Sequence, residues 1–225
     1  MQGTLAIDSG SLISLSSSCM FDVIGRLSDL GLNFVVAESV VRESISYPIN
    51  IRRFELNALR ISAGIKKGWI KTIKLDKEHM NYKAKLMETA NKTYRSKSGN
   101  LQILQEGEAE TMALAKMVSA KAIVTDERTM RLLVEDCYGL KELLQKRQNE
   151  KIWIDSERAD FFRKEFGKIL IVRSAEIIAF AHEKGILKEI VGDVPKLLEA
   201  SLYSLKYAGC ALSSEEIETF LRNKG

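Results

Sequence analysis

The sequence predicts an α/β fold, in which a doubly wound and mostly parallel sheet lies between helices. Short apolar runs alternate with amphipathic helical patterns over about two thirds of the 225 residues, and this alternation is typical of parallel β-α units. The acidic residues Asp8 and Asp126 follow the apolar runs at residues 5–7 and 122–124. We therefore expect both carboxylates at the carboxyl ends of strands, the edge where open α/β sheets bind ligands.

Each element follows from the local pattern of apolar and polar residues. Apolar runs predict strands over residues 4–7, 33–36, 69–74 and 122–125. Helical periodicity predicts helices over residues 11–30, 38–47, 51–66, 77–92, 107–119 and 127–135. We interpret the polar stretch Tyr94 to Asn100 as an exposed loop. The runs KILIV and SAEIIAFAHEKG then predict one more strand and helix.

These elements suggest a division of the chain. An α/β domain over residues 1–185 includes a charged insertion at about residues 139–167. We expect residues 186–225 to form a C-terminal helical extension that packs on this domain. A 45% hydrophobic content is sufficient for a real core.

Composition excludes several classes of protein. No apolar stretch approaches the roughly 20 residues that cross a bilayer, and the amino terminus lacks a signal pattern, so we expect a cytoplasmic protein without membrane contact. Three widely spaced cysteines without a CxxC pair argue against a disulfide framework and a zinc site, and we expect them to be buried thiols. With two histidines, a Ser-His-Asp triad is hard to assemble. Any catalysis would then depend on carboxylates.

Acidic residues stand where predicted segments begin or end. They are Asp8, Glu43, Glu108 with Glu110, and Asp126. Carboxylates within about 4 Å of each other repel by roughly 4 kcal/mol per pair at an effective dielectric near 20, so a cluster of them needs protons or a cation. Mg²⁺ and Mn²⁺ are the natural occupants. Taken singly, each acid could equally be a helix cap or a solvated charge.

Glu108 and Glu110 compete for the third acidic position. On a helix they lie about 200° apart, so both cannot face one metal. Periodicity favours Glu110, which falls near the middle of the apolar face, whereas motif alignment favours Glu108. We rank Glu108 first because a first-turn side chain can reach past the sheet edge.

The order of these motifs resembles that of the PIN-domain nucleases. The likeness comprises a strand followed by Asp8-Ser9, an early helical Glu43, the segment GEAETMALA before the strand AIVTDE, and Arg131. The later segment KILIVRSAEIIAFAHEKGIL is similar to the prokaryotic PIN subgroup with GEAE-type third motifs. The resemblance implies a PIN-like three-layer α/β/α sandwich and a Mg²⁺- or Mn²⁺-dependent endoribonuclease.

The resemblance also implies roles for residues. The acidic positions would be, in order, Asp8, Glu43, Glu108 and Asp126, and Glu127 matches the second acid of the TDD often found at the fourth. Ser9 and Thr125 could orient a carboxylate or water, or could simply cap the following turn. Arg131 could contact a substrate phosphate or form a surface salt bridge. A glutamate at the third position, where aspartate is usual, and the insertion depart from the pattern.

Three functions remain open at this stage. The first is a metal-dependent endoribonuclease, with RNA and an antitoxin protein as candidate partners. The second is a PIN-fold module that binds RNA or protein without turnover. The third is an aspartyl-phosphate phosphatase, which Ser9-Gly10 after Asp8 disfavours.

Two further features concern partners. Basic residues in the two predicted helices over residues 51–66 and 77–92 suit a polyanionic substrate, although each cluster could equally be a solvated face. An apolar stripe near the C terminus could form a homodimer or antitoxin interface, but more often packs on its own domain. Its residues are Leu197, Leu198, Leu202, Leu205 and Ala208.

Overall fold

The computed structural model describes residues 3–222. Its strands are β1 Gly3–Ile7, β2 Leu32–Ala37, β3 Ile70–Ile73, β4 Tyr94–Ser96, β5 Gly99–Asn100, β6 Ala122–Val124, β7 Trp153–Ile154 and β8 Leu170–Val172. Its helices up to the middle of the chain are α1 Ser9–Ser17, α2 Asp22–Asp29, α3 Glu38–Val41, α4 Arg52–Lys66, α5 Lys77–Asn91 and α6 Glu106–Met117. The later helices are α7 Arg128–Glu135, α8 Cys137–Gln148, α9 Ser156–Phe166, α10 Ser174–Glu183, α11 Ile186–Val191, α12 Leu197–Ala208 and α13 Ser214–Arg222. A π-helical turn, Arg42–Ser46, extends α3, and a 3₁₀ turn, Pro48–Asn50, precedes α4.

The central sheet has five strands in the order β3-β2-β1-β6-β8. All four pairings are parallel, which confirms the predicted α/β class with a parallel sheet. Strands β1, β2 and β6 are short apolar runs whose central residues are buried, as expected when helices flank a parallel sheet. Helix α6 packs against β1, β2 and β6, and α2 packs against β2. The carboxyl ends of β1 and β6 therefore lie side by side.

The predicted helix over residues 11–30 is in fact two helices. The break follows α1, where Cys19 adopts a left-handed φ of 61°. A regular helix cannot continue through that conformation. Cys19 is also exposed, so the expectation of a buried thiol is wrong there, whereas Cys137 and Cys210 are buried as expected.

The expected exposed loop from Tyr94 to Asn100 is also wrong. Strands β4 and β5 form a hairpin, and β4 pairs on its other side with β7 in an antiparallel sheet. Tyr94 is fully buried, and its hydroxyl donates to the carbonyl of Cys137 at 2.8 Å. Since β7 and Cys137 are remote in sequence, local polarity could not reveal this packing.

The C-terminal apolar stripe packs within the chain. Leu197, Leu198, Leu202 and Leu205 of α12 are buried, and α12 contacts α1 and α10. The stripe was interpreted either as an interface with another chain or as a surface that packs on its own domain, and the structure shows the second. Within residues 3–222, no helix has the length and apolarity needed to cross a membrane.

Candidate active site

Asp8 directly follows β1 and caps helix α1. Its backbone amide donates to the Val124 carbonyl at 3.0 Å, which continues the pairing with β6. Its carboxylate accepts hydrogen bonds from the Ser11 amide at 2.8 Å and from the Thr125 hydroxyl at 2.5 Å. Burial nevertheless raises the pKa of Asp8 to about 6, and the charge of Asp126 adds to the rise. A negative charge on Asp8 is therefore unfavourable without a cation.

Asp126 lies at the same edge, shortly after β6. Its carboxylate accepts hydrogen bonds from the Ser174 amide and hydroxyl, both at 2.8 Å. Ser174 is the first residue of α10, which follows β8. The start of this helix therefore holds the Asp126 carboxylate. Burial raises the pKa of the neighbouring Cys210 thiol to about 12, and the Asp126 charge contributes to that rise. Asp126 is thus buried and held by neutral donors.

Glu108 belongs to the same electrostatic cluster. It occupies the first turn of α6, where its carboxylate accepts a hydrogen bond from the Gln105 amide at 2.7 Å. Burial raises the pKa of Glu108 to about 7, and the charges of Glu127, Asp8 and Glu43 raise it further. The acids that were separate in sequence are therefore close enough to influence one another.

Glu43 reaches the cluster from the π-helical turn after α3. The Ser9 hydroxyl donates to its carboxylate at 2.6 Å. On the other side stands Gly107, where an added Cβ would lie 2.5 Å from Glu43 Oε1. Only glycine leaves this space, and the N-terminus of α6 favours a carboxylate there. Sequence reasoning missed Gly107, although a glycine in the first turn of a helix was a usable signal.

Glu110 has different surroundings from Glu108. It is buried, its Oε1 accepts from the Ser39 amide at 3.3 Å, and its Oε2 lies 3.6 Å from Lys83 Nζ. Lys83 also pairs with Glu106 at 2.9 Å. The position of Glu110 on the apolar face agrees with its periodicity, but its charge is matched by a buried lysine of the chain.

The remaining predicted site residues lie around the cluster at different depths. Glu127 is exposed and caps α7 by accepting from the Thr129 amide at 3.2 Å. Thr125 is fully buried and joins two acidic positions, because its hydroxyl donates to Asp8 and accepts from the Glu127 amide at 3.1 Å. Arg131, one turn into α7, has a buried Nε for which residues 3–222 offer no hydrogen-bond partner.

The donor chemistry of this cluster fits a hard divalent cation. Every atom that could bind the cation is a carboxylate oxygen. In the described part of the chain, no Lys, Arg or His forms an ion pair with any of these carboxylates. The carboxylates are Asp8, Glu43, Glu108, Asp126 and Glu127. As the side chains lie, no three His, Cys, Asp or Glu residues among residues 3–222 form a group that could hold a metal ion.

Comparison with known proteins adds no family. Neither the protein-family models nor the curated proteins that were searched match this sequence.

Proposed function

We propose that this chain is a metal-dependent endoribonuclease with a PIN-like three-layer sandwich fold. The observation that supports this function is the crowding of carboxylates at one sheet edge without a cation from the chain. Two of these groups, Asp8 and Glu108, have pKa values raised to about 6 and about 7. A fold keeps such an arrangement at a cost to stability, which is common at functional sites.

The acids have distinct proposed roles. Asp8 and Asp126 would bind Mg²⁺ or Mn²⁺, Glu108 would complete the site, and Glu43 and Glu127 would support it. When bound, the metal would lower the pKa of a coordinated water and neutralise charge on the leaving oxygen of a phosphodiester. Glu43 would position the attacking water, since the Ser9 hydroxyl binds its carboxylate and Gly107 leaves room for it.

The neutral donors would maintain the geometry. Thr125 and Ser11 orient the Asp8 carboxylate, and Ser174 orients Asp126. Fixed carboxylates lower the reorganisation needed when a substrate binds. Our support for RNA as the substrate is the similarity of motif order to the PIN-domain nucleases. A toxin role, an antitoxin partner, a homodimer and a cytoplasmic location stay predictions.

Cleavage of a mixed set of structured and unstructured RNAs tests the function. The wild type is compared with an Asp8→Asn, Asp126→Asn double variant in Mn²⁺, Mg²⁺ or EDTA. Asp29→Asn, at the exposed end of α2, is the matched control. We expect EDTA to abolish cleavage, the double variant to lose at least about 100-fold, and the control to match the wild type. Cleavage that persists in the folded double variant would contradict the proposal.

A further inference from the structure

A cavity adjoins the acidic cluster on the side of α7. It has a volume of about 590 Å³ and lies between α7, the end of α8 and the segment around Gly209 to Glu216 before and within α13. Asp126 and Glu127 form part of its wall. Small-molecule sites typically occupy about 300–1,000 Å³, so the cavity can accept a nucleotide. It lies directly beside the proposed cleavage site.

Three arginines line this cavity. They are Arg128 and Arg131 of α7 and Arg147 in the last turn of α8. Over residues 3–222 none of the three forms an ion pair, and the Arg131 Nε is buried without a hydrogen-bond partner. An unpaired buried donor is unfavourable and is rare in folded proteins. The charge of Arg131 acts on Glu135 and Glu216, but its Nε still lacks an acceptor, and the Arg128 and Arg147 side chains are exposed to solvent where an anion can reach them.

The other arginine near this region differs. Arg173 is buried and pairs with Glu176 at 2.6 Å and Glu216 at 2.7 Å. Two acids of the cavity wall also have donors from the chain: Glu216 accepts from Arg173 and from the Ser213 amide, and Glu127 from the Thr129 amide. A third, Glu215, is exposed. Glu127 and Glu216 thus have donors from the chain, whereas the Arg131 Nε has no acceptor among residues 3–222.

We propose that this cavity binds a phosphate-bearing nucleotide of the RNA strand next to the scissile bond. Arginine presents a planar fork of donors that matches phosphate oxygens, and a phosphate would supply acceptors for Arg131 with Arg128 and Arg147 alongside. This inference rests on the proposed function, because the acidic cluster defines where the scissile bond lies. It gives Arg147, within the charged insertion, and the C-terminal segment a role in substrate binding.

The test separates binding from cleavage. Binding of a short fluorescent single-stranded oligoribonucleotide is measured by anisotropy in EDTA over a range of salt, and cleavage kinetics are measured with Mn²⁺. The variants are Arg131→Gln and, on a different helix, the exposed Arg147→Gln. The control is Arg26→Gln, an exposed arginine of α2.

We expect each cavity variant to weaken binding about 10-fold, and the slope of log K against log salt to decrease by about 0.7 for each phosphate group that the variant no longer neutralises. KM should rise while kcat stays within about two-fold, since these arginines would contact a phosphate next to the scissile bond and not the reacting atoms themselves. Arg26→Gln should match the wild type.

Other outcomes distinguish the two proposals. Wild-type affinity and salt slope in both cavity variants would overturn the inference, even if the protein cleaves RNA. If the wild type cleaves no RNA but binds it, and the cavity variants lose binding, the phosphate site stands and the nuclease proposal fails. A wild type that binds no RNA overturns both.

Discussion

Buried and half-buried acids occur in two kinds of surroundings in this molecule. Glu110 is matched by Lys83, and Glu216 is matched by Arg173. The acids at the carboxyl edge of the sheet have hydroxyl and amide donors only, although Glu108 is on the same helix as Glu110. The chain thus provides a cation where a carboxylate supports the fold and omits one where the carboxylates converge. This difference is the basis for our proposal that a cation from solution binds at this edge.

The largest expected effect is on stability, from breaking the pair of Lys83 and Glu110. Replacing Lys83 with Met leaves Glu110 as an uncompensated buried charge, so we expect the free energy of unfolding to fall by about 3 kcal/mol. The control is Lys92→Met, since Lys92 pairs with Glu88 on the surface and such pairs contribute at most about 1 kcal/mol. Urea unfolding measures both, and equal losses would show that the pairing of Glu110 is unimportant.

The next effect is on the pH dependence of stability in the absence of divalent cations. Asp8 and Glu108 have pKa values of about 6 and about 7 in the folded protein, above their ordinary values of 3.8 and 4.5. The folded state therefore retains protons that the unfolded state has lost. The free energy of unfolding should fall as pH rises from 5 to 8, by about 4 kcal/mol from these pKa values alone and by about 2 kcal/mol once solvent screening of the half-buried Glu108 is allowed for.

Urea unfolding in EDTA across this pH range measures the effect. Carboxyls whose pKa is lowered, such as Glu106 and Glu216, are already ionised above pH 5 and do not contribute. An Asp8→Asn, Glu108→Gln double variant should remove most of the slope and should be more stable than the wild type at pH 8. A slope that persists in the variant would assign it to other groups.

A smaller effect concerns the space beside Glu43. Gly107→Ala would displace the Glu43 carboxylate, because the new Cβ would lie 2.5 Å from Oε1. We expect RNA cleavage to fall about 10-fold while stability changes by less than about 1 kcal/mol, since alanine favours the helix. Gly10→Ala is the matched control, because its Cβ would stand 3.8 Å from the Asp8 oxygens, an ordinary contact. Similar activity in both variants would show that the position of Glu43 is unimportant.

The sequence allowed prediction of the elements that local apolar and polar patterns determine. The strands that carry Asp8 and Asp126 were found because short apolar runs between helices are visible in the sequence, and the structure places both residues at one edge. The hairpin at Tyr94 was missed because its partner β7 is remote in sequence. The choice between Glu108 and Glu110 stayed open because it depends on Lys83, a charged residue whose burial is a tertiary effect. Whether the edge binds metal and cleaves RNA stays a prediction.

The most direct test of the account is Mn²⁺-dependent thermal stability at pH 7.5. The wild type is compared with Glu108→Gln and with Glu110→Gln, two residues apart on α6. Because a ligand that binds the folded state stabilises it, Mn²⁺ should raise the Tm of the wild type and of Glu110→Gln equally, and should raise that of Glu108→Gln much less. A wild type that gains no stability from Mn²⁺, or a gain that depends on Glu110 rather than Glu108, would contradict the account.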